Sequence, residues 1–241
     1  MNPLDNARAA FARHLKQNPY PGRGLVLGRM DRDEHWVIVY FIMGRSVNSR
    51  NRRFVCDGDR LWTEPVDMSR VSDPSLIIYD AMLALPGIQI VSNGDQTTTV
   101  YNALKEGTGF TESLATRERE PDSPNFTPRI TGMLDLRGEP AVHLSILKAN
   151  VSNPSLTDRT TFMPSPPAPG TGYCLTTYMG DGDPLPSFCG EPLVLPVSGS
   201  ASDIQTLYWD ALHVENRVSL AVKEIDSTGR CIRLLISNVH G

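Results

Sequence analysis

Aromatic residues make up only 7% of the 241-residue sequence, and no apolar run approaches the roughly 18 residues that a membrane span requires. The first 18 positions are amphipathic and polar and lack the apolar centre of a secretory signal, so a soluble, cytoplasmic protein without a membrane partner is expected. The four cysteines, Cys56, Cys174, Cys189 and Cys231, are widely scattered with no C-x-x-C pair. Neither a zinc knuckle nor a disulfide framework is indicated, and they read as mostly buried, reduced thiols. Excess positive charge is also missing. With a net charge of −4 and a pI near 5.7, the chain offers no global field for a nucleic acid. The sequence further lacks G-x-S-x-G, a phosphate-binding P-loop, H-E-x-x-H, and a G-x-G-x-x-G that opens a helix. Its five histidines, His14, His35, His143, His213 and His240, never fall two to five positions apart, so no local metal-binding pair exists and no metal site is expected.

What is present is a chain 40% hydrophobic, enough for one domain spanning residues 1–241, with 19 glycines and 19 prolines that favour many turns and a sheet-rich fold. Leu4, Ala7, Ala10, Phe11 and Leu15 recur at helical spacing until the N-P-Y-P-G stop at 18–22. Strands are expected at 24–28 and 35–43, turned at 31–34. The second of these, apolar on both faces, requires cover on both sides and so a central place in a layered fold. A strand pair follows near 53–55 and 60–63, then a segment at 75–85 of either type and a strand at 88–92. Helices are expected at 97–105, capped by Asp95, and at 111–117. Strands at 130–136, 142–147, 173–178 and 193–197 surround a proline-rich surface loop at 164–169. A helix at 203–212 capped by Ser202 precedes a closing strand pair, 218–225 and 231–237, turned at 227–229. Two sheets between helical layers accommodate this α+β order.

Chemistry has to come from polar loops at strand ends. In the loop 44–53, Arg45, Arg50, Arg52 and Arg53 offer planar paired donors suited to a small anion, and Ser46, Ser49 and Asn51 add shorter hydrogen bonds; a solvated basic turn is the plainer reading. In 92–97, Asn93, Gly94 and Asp95 lead into a helix start whose free N–H groups favour an anionic or polar ligand group, although Asn-Gly alone is also an ordinary turn. In 120–129, three prolines hold Glu120, Asp122, Asn125 and Arg129 on a stiff path, as a linker would also do.

Five segments taken together, YPGRGLVLGR (20–29), YFIMGRSVNSRNRRF (40–54), DPSLIIYDA (73–81), IVSNGDQTTTV (90–100) and EPDSPNFTPRI (120–130), resemble the archaeal-type IMP cyclohydrolase family, in order, over residues 20 to about 135. The resemblance implies a four-layer αββα sandwich like that of the N-terminal-nucleophile hydrolases. It implies cyclisation of 5-formamidoimidazole-4-carboxamide ribotide to IMP with loss of water, no cofactor, and a homo-oligomer whose partner molecule is a purine ribotide. The chain begins Met1-Asn2, so the fold is expected to work without an amino-terminal nucleophile.

The same resemblance places Arg45, Arg50 and Arg52 near the 5′-phosphate or the carboxamide, Tyr79 and Glu120 near the reacting groups, and Asn93 and Arg129 around them. Tyr79 would donate to the formyl oxygen, and Glu120, if burial raises its pKa, would accept a proton from the carboxamide nitrogen. A core tyrosine and a surface carboxylate paired with Arg119 or Arg129 are the plainer readings of these two. Two other functions remain open: a purine-nucleotide-binding module without turnover, and an amide hydrolase on the same fold.

Overall fold

The computed structural model describes residues 2–71, 74 and 77–240. Among the described residues, thirteen strands form two sheets. The first, six-stranded, has the order β11-β10-β1-β2-β12-β13, built from β1 (Arg23–Arg29), β2 (Trp36–Met43), β10 (Thr171–Thr176), β11 (Leu193–Pro196), β12 (Arg217–Ile225) and β13 (Cys231–Asn238). The second, seven-stranded, runs in chain order through β3 (Arg53–Asp57), β4 (Arg60–Glu64), β5 (Asp80–Leu85), β6 (Ile88–Ser92), β7 (Arg129–Asp135), β8 (Ala141–Ala149) and β9 (Thr157–Phe162). All their neighbours pair antiparallel.

Strand alternation divides the side chains among three cores. In β2, Trp36, Ile38, Tyr40 and Ile42 face the second sheet, whereas Val37, Val39, Phe41 and Met43 face outward. All eight are buried, as a strand apolar on both faces requires. The outward set is covered by α1 (Pro3–Phe11), a π-helical turn at Ala12–Lys16, and α5 (Ala201–Ala211). On the second sheet, Val91, Ile130 and Leu134 face inward, while Ile88, Ile90 and Met133 face outward under α3 (Gln96–Lys105) and α4 (Phe110–Ser113). Each buried aliphatic contributes about 1.5–3 kcal/mol of transfer free energy, so both faces of both sheets hold the layers together. The short helix α2 (Val47–Arg50) lies outside these layers, directly after β2.

Several local expectations are corrected. Asp95 stands at the N-cap position of α3 but makes no capping hydrogen bond, because Arg117 and Arg129 take its carboxylate. Ser200, not Ser202, caps α5, in a reciprocal box with Asp203. The helix expected at 111–117 is a single turn, Phe110–Ser113. Within the segment 75–85, Ser75 and Leu76 lie outside the described residues, and 80–85 is strand. Strand β9 (TDRTTF) gives no signal in the sequence, since an edge strand with polar residues on both faces shows no alternation. All four cysteines are free, but only Cys174 is buried, and burial pushes its thiol pKa up; Cys56 and Cys189 are exposed and Cys231 is half-buried.

Candidate functional site

The strand ends at one end of the sandwich carry the chemistry-bearing side chains. Arg23 opens β1, Arg45 follows β2, Arg52 precedes β3 and Tyr79 precedes β5. The loop leading into β7 supplies Glu120 and Arg129, and Tyr178 follows β10.

Glu120 is buried, and its carboxylate pairs with Arg23 Nη1 at 2.7 Å. The reading of Glu120 as a surface carboxylate paired with Arg119 or Arg129 is therefore replaced: Arg119 instead donates to the Pro154 carbonyl and lies over the Phe126 ring. Burial raises the Glu120 pKa, opposed by the charges of Arg23, Arg129 and Arg52. Burial works against the Arg23 charge, but the carboxylate and the tyrosines around it more than offset that, and its pKa lies above the usual guanidinium value. Arg52 is buried too. Desolvation first, and then the like charge of Arg23, lower its pKa, while Tyr79, Tyr40 and Glu120 act in the other direction. Arg23 and Arg52 thus both act on the Glu120 carboxylate, and their guanidiniums in a desolvated place suit an anion or a developing oxyanion.

Tyr79 is buried in the inter-sheet core, and its hydroxyl meets that of Tyr40 on β2 at 2.7 Å, a polar bridge between the two sheets. Tyr178 belongs to a second chain of hydroxyls. The Asp122 carboxylate accepts from the Thr127 amide at 2.7 Å and from the Thr127 hydroxyl, so that hydroxyl must accept from Tyr178 Oη, at 2.6 Å. The Thr127 carbonyl accepts from the Glu120 amide at 3.0 Å, tying the two halves of this loop together.

A cleft of about 220 Å³ opens beside this cluster, lined among others by Tyr20, Arg23, Arg45, Ser46, Asp122 and Tyr178. Gly22 forms part of the wall at φ +76°, where a Cβ would stand 2.5 Å from the Tyr178 ring; only glycine permits that approach. Tyr20 and Tyr178 stack with ring centroids 6.0 Å apart, and Arg45 lies 5.0 Å from the centre of the Tyr20 ring. Glu120, Arg52 and Tyr79 are not in the cleft wall; Glu120 sits behind Arg23.

The remaining expected site residues make hydrogen bonds within the protein. Arg50 donates to the Gly44 carbonyl at 2.9 Å and to Asn216 at 3.3 Å. Asn51 exchanges two hydrogen bonds with the Asp67 backbone, at 2.7 and 2.8 Å. Asn93 is buried and bonded to Pro128, Ile130 and Gln96, joining the start of α3 to that of β7. Gly94 leaves room for Arg129, whose Nη1 would lie 2.5 Å from an added Cβ. Arg129 uses that room to reach Asp95 at 2.7 Å and Gln96 at 2.9 Å.

Arg23, Tyr20, Tyr40, Thr127 and Tyr178 do not stand out in the sequence as site residues. Arg23 and Tyr20 lie within the YPGRG motif, so position in a motif is the one signal available for them. The hydroxyl pairings depend on contacts between residues as far as 51 positions apart, which no local pattern carries.

Among the described residues, no group of three or more His, Cys, Asp or Glu side chains is placed to hold a metal ion, and no helix is long and apolar enough to cross a membrane. Comparison with known proteins gives two relatives named IMP cyclohydrolase. The protein from Methanothrix thermoacetophila is 33% identical over 125 residues, 49% of this chain and 59% of the relative. That from Methanococcus maripaludis is 30% identical over 119 residues, 48% of this chain and 58% of the relative. The matches thus span less than two thirds of those relatives' length. The profile of the family described as IMP cyclohydrolase-like protein matches residues 20–229, well past the segments that first suggested it, and the chain belongs to that family.

Proposed function

We propose that the chain is an IMP cyclohydrolase, closing 5-formamidoimidazole-4-carboxamide ribotide to IMP with loss of water. The observation that carries this reading is the buried Glu120 carboxylate, pKa raised, held by Arg23 beside Arg52 and the Tyr40–Tyr79 hydroxyl pair. Nucleophile and electrophile already share one molecule, so the first requirement is to fold the formamide onto the carboxamide. Glu120 accepts the proton that the carboxamide nitrogen loses as it bonds to the formyl carbon. Tyr79 donates to the formyl oxygen, and the guanidiniums of Arg52 and Arg23 stabilise the charge gathering there. With the formyl oxygen protonated by Tyr79, Glu120 returns its proton to the resulting carbinolamine hydroxyl; the C–O bond breaks and water leaves as the former formamide nitrogen forms the C=N bond, and its N–H proton goes back to the Tyr79 oxygen. These steps need no cofactor.

Arg45 and Ser46 in the cleft wall suit the 5′-phosphate, and Arg129 stands by Glu120 as part of the surrounding shell. Arg50, Asn51, Asn93, Gly94 and Asp95, engaged within the protein, shape the site in this reading and do not touch substrate. The reading includes one domain over residues 1–241, since both sheets contribute to a shared core, and kinship with the N-terminal-nucleophile hydrolase fold, which the helix–sheet–sheet–helix layering supports. It also includes a cytoplasmic homo-oligomer that takes a purine ribotide and no nucleic acid.

A purine-nucleotide-binding module is the second reading, and it has one observation in its favour: the cleft wall ends at Arg23, in front of Glu120. An ultraviolet assay of the purified chain with the formamido ribotide decides between them. IMP is expected to form with wild type, and Arg52→Ala and Glu120→Gln are expected to lower turnover by about 10²–10⁴-fold. Binding of the ribotide without IMP above the uncatalysed rate would favour the binding module.

A further inference from the structure

The outer wall of the cleft is a short strap that leaves the first sheet after β10 and returns at Phe188. Its base is backbone-bonded: Tyr178 bridges Ser187, the Met179 amide donates to the Pro186 carbonyl at 2.9 Å, and that of Phe188 to Thr177 at 3.0 Å. Asn18 anchors the base further through the Met179 carbonyl at 3.0 Å. The tip, by contrast, is held through side chains of the cleft wall. Arg45 Nη1 donates to the Asp181 carboxylate and to the Gly182 carbonyl at 3.2 Å, and Asn125 Oδ1 accepts from the Leu185 amide at 3.0 Å. Asp181 is about half exposed, whereas Leu185 is buried against the cleft.

Arg45 therefore already holds an anion. Its face rests on the Tyr20 ring, which leaves its in-plane N–H groups for hydrogen bonding, and those of Nη1 go to the strap. We propose that Asp181 is the resident counter-ion of the cleft's anion subsite, and that the phosphate group of a nucleoside monophosphate displaces it from Arg45 and frees the tip of the strap. The identity of that phosphate rests on the ribotide reading above; the exchange at Arg45 does not. A phosphate dianion reaching Arg45 comes close to the Asp181 carboxylate, and like-charge repulsion drives the carboxylate away, while the phosphate offers more acceptor oxygens to the same guanidinium. An uncharged nucleoside has nothing to exchange at Arg45, so Asp181 lowers the affinity of phosphorylated ligands and leaves that of their nucleosides unchanged.

The test measures binding without turnover, by calorimetry of the full chain with IMP, inosine and inorganic phosphate, together with hydrogen exchange over residues 180–185. Removing the competing charge in Asp181→Asn is expected to tighten IMP and inorganic phosphate about fivefold and to leave inosine unchanged. Saturating wild type with IMP or phosphate is expected to speed exchange at the strap tip. Asn125→Ala loosens the same tip without altering the charge at Arg45 and is expected to change affinity less. Unchanged or weaker anion binding in Asp181→Asn, equal tightening in Asn125→Ala, or a strap more protected when an anion is bound would each overturn the exchange. Should the ribotide reading itself be wrong, inorganic phosphate still shows the exchange where IMP does not bind; if neither anion binds, the proposal fails.

Discussion

At one end of the sandwich, Arg52 and Glu120 are buried and Arg23, partly exposed, stands between Glu120 and a cleft; towards the other end, Lys223 on β12 is buried between the same two sheets and its ammonium is held by neutral oxygens. Lys223 donates to the Asp59 carbonyl and to Gln89 Oε1, both at 2.6 Å, and Gln89 in turn donates to the Gly229 carbonyl at 2.8 Å. Each neighbour of Lys223 has a structural role, since Asp59 is in the β3–β4 turn, Gly229 is in the β12–β13 turn, and Gln89 joins them. The lysine is a tie that pins two turns and two sheets together. The other end sets an Arg23–Glu120 ion pair and Arg52 against a cleft. Burial of a charge is thus no sign of function by itself; an opposing titratable group and an opening towards solvent together distinguish the candidate site from the tie.

Turnover is where the two ends should differ most. Lys223→Met removes a buried charge without touching the proposed proton path, so kcat in the ribotide assay should stay within about threefold of wild type, against the fall of about 10²–10⁴-fold expected for Glu120→Gln. Comparable losses in both variants, each shown to be folded by circular dichroism, would mean that the two ends act as one unit.

The hydroxyl pair that bridges the sheets gives a smaller effect. If Tyr79 donates to the formyl oxygen, its own oxygen accepts the proton of Tyr40, which fixes the direction of the 2.7 Å bond. Tyr79→Phe then removes the donor itself, whereas Tyr40→Phe removes only its support. The first should lower kcat by about tenfold to a hundredfold and the second by less than about tenfold. Both should lose a similar stability in urea, about 1–2 kcal/mol, from the broken buried hydrogen bond. A larger kcat loss in Tyr40→Phe would reverse the assignment.

How much of this is legible in the sequence follows from the range of the interactions. The layered fold can be read because WVIVYFIM, apolar on both faces, has to lie between two covers, and the structure places it between the inter-sheet core and the layer of α1 and α5. Glu120, Arg52 and Tyr79 are legible only as members of motifs, and the structure brings them into one electrostatic neighbourhood. The partner of Glu120 is not legible: Arg23 is 97 positions away, and nearer arginines offer themselves first. Arg50, Asn51 and Asn93 carry side chains that suit a ligand and serve equally well as backbone struts, and composition does not separate the two uses. Lys223, in an alternating strand, gives no sign of full burial, since a lysine in such a pattern normally marks the solvent face.

The smallest effect is on stability as pH changes, and there the two ends should act with opposite sign. Glu120 has a folded pKa raised above its usual 4.5, so the folded state holds its proton more tightly than the unfolded chain. Its contribution is fully present below pH 4.5 and is lost as pH rises through the folded value. Burial lowers the pKa of Lys223 below its usual 10.5, so here the unfolded chain binds the proton more tightly. Stability should recover as pH rises from the lowered value towards 10.5, because folding no longer requires desolvating an ammonium. Urea midpoints measured from about pH 4 to about pH 10 should therefore show Glu120→Gln losing the acid-side decline of wild type and Lys223→Met losing its alkaline-side rise, each variant leaving the other limb in place. If Glu120→Gln leaves the acid limb intact, desolvation does not dominate at Glu120 and the proton it is proposed to carry has to be held elsewhere. If both limbs disappear in either variant, the two buried centres are coupled through the strands they share.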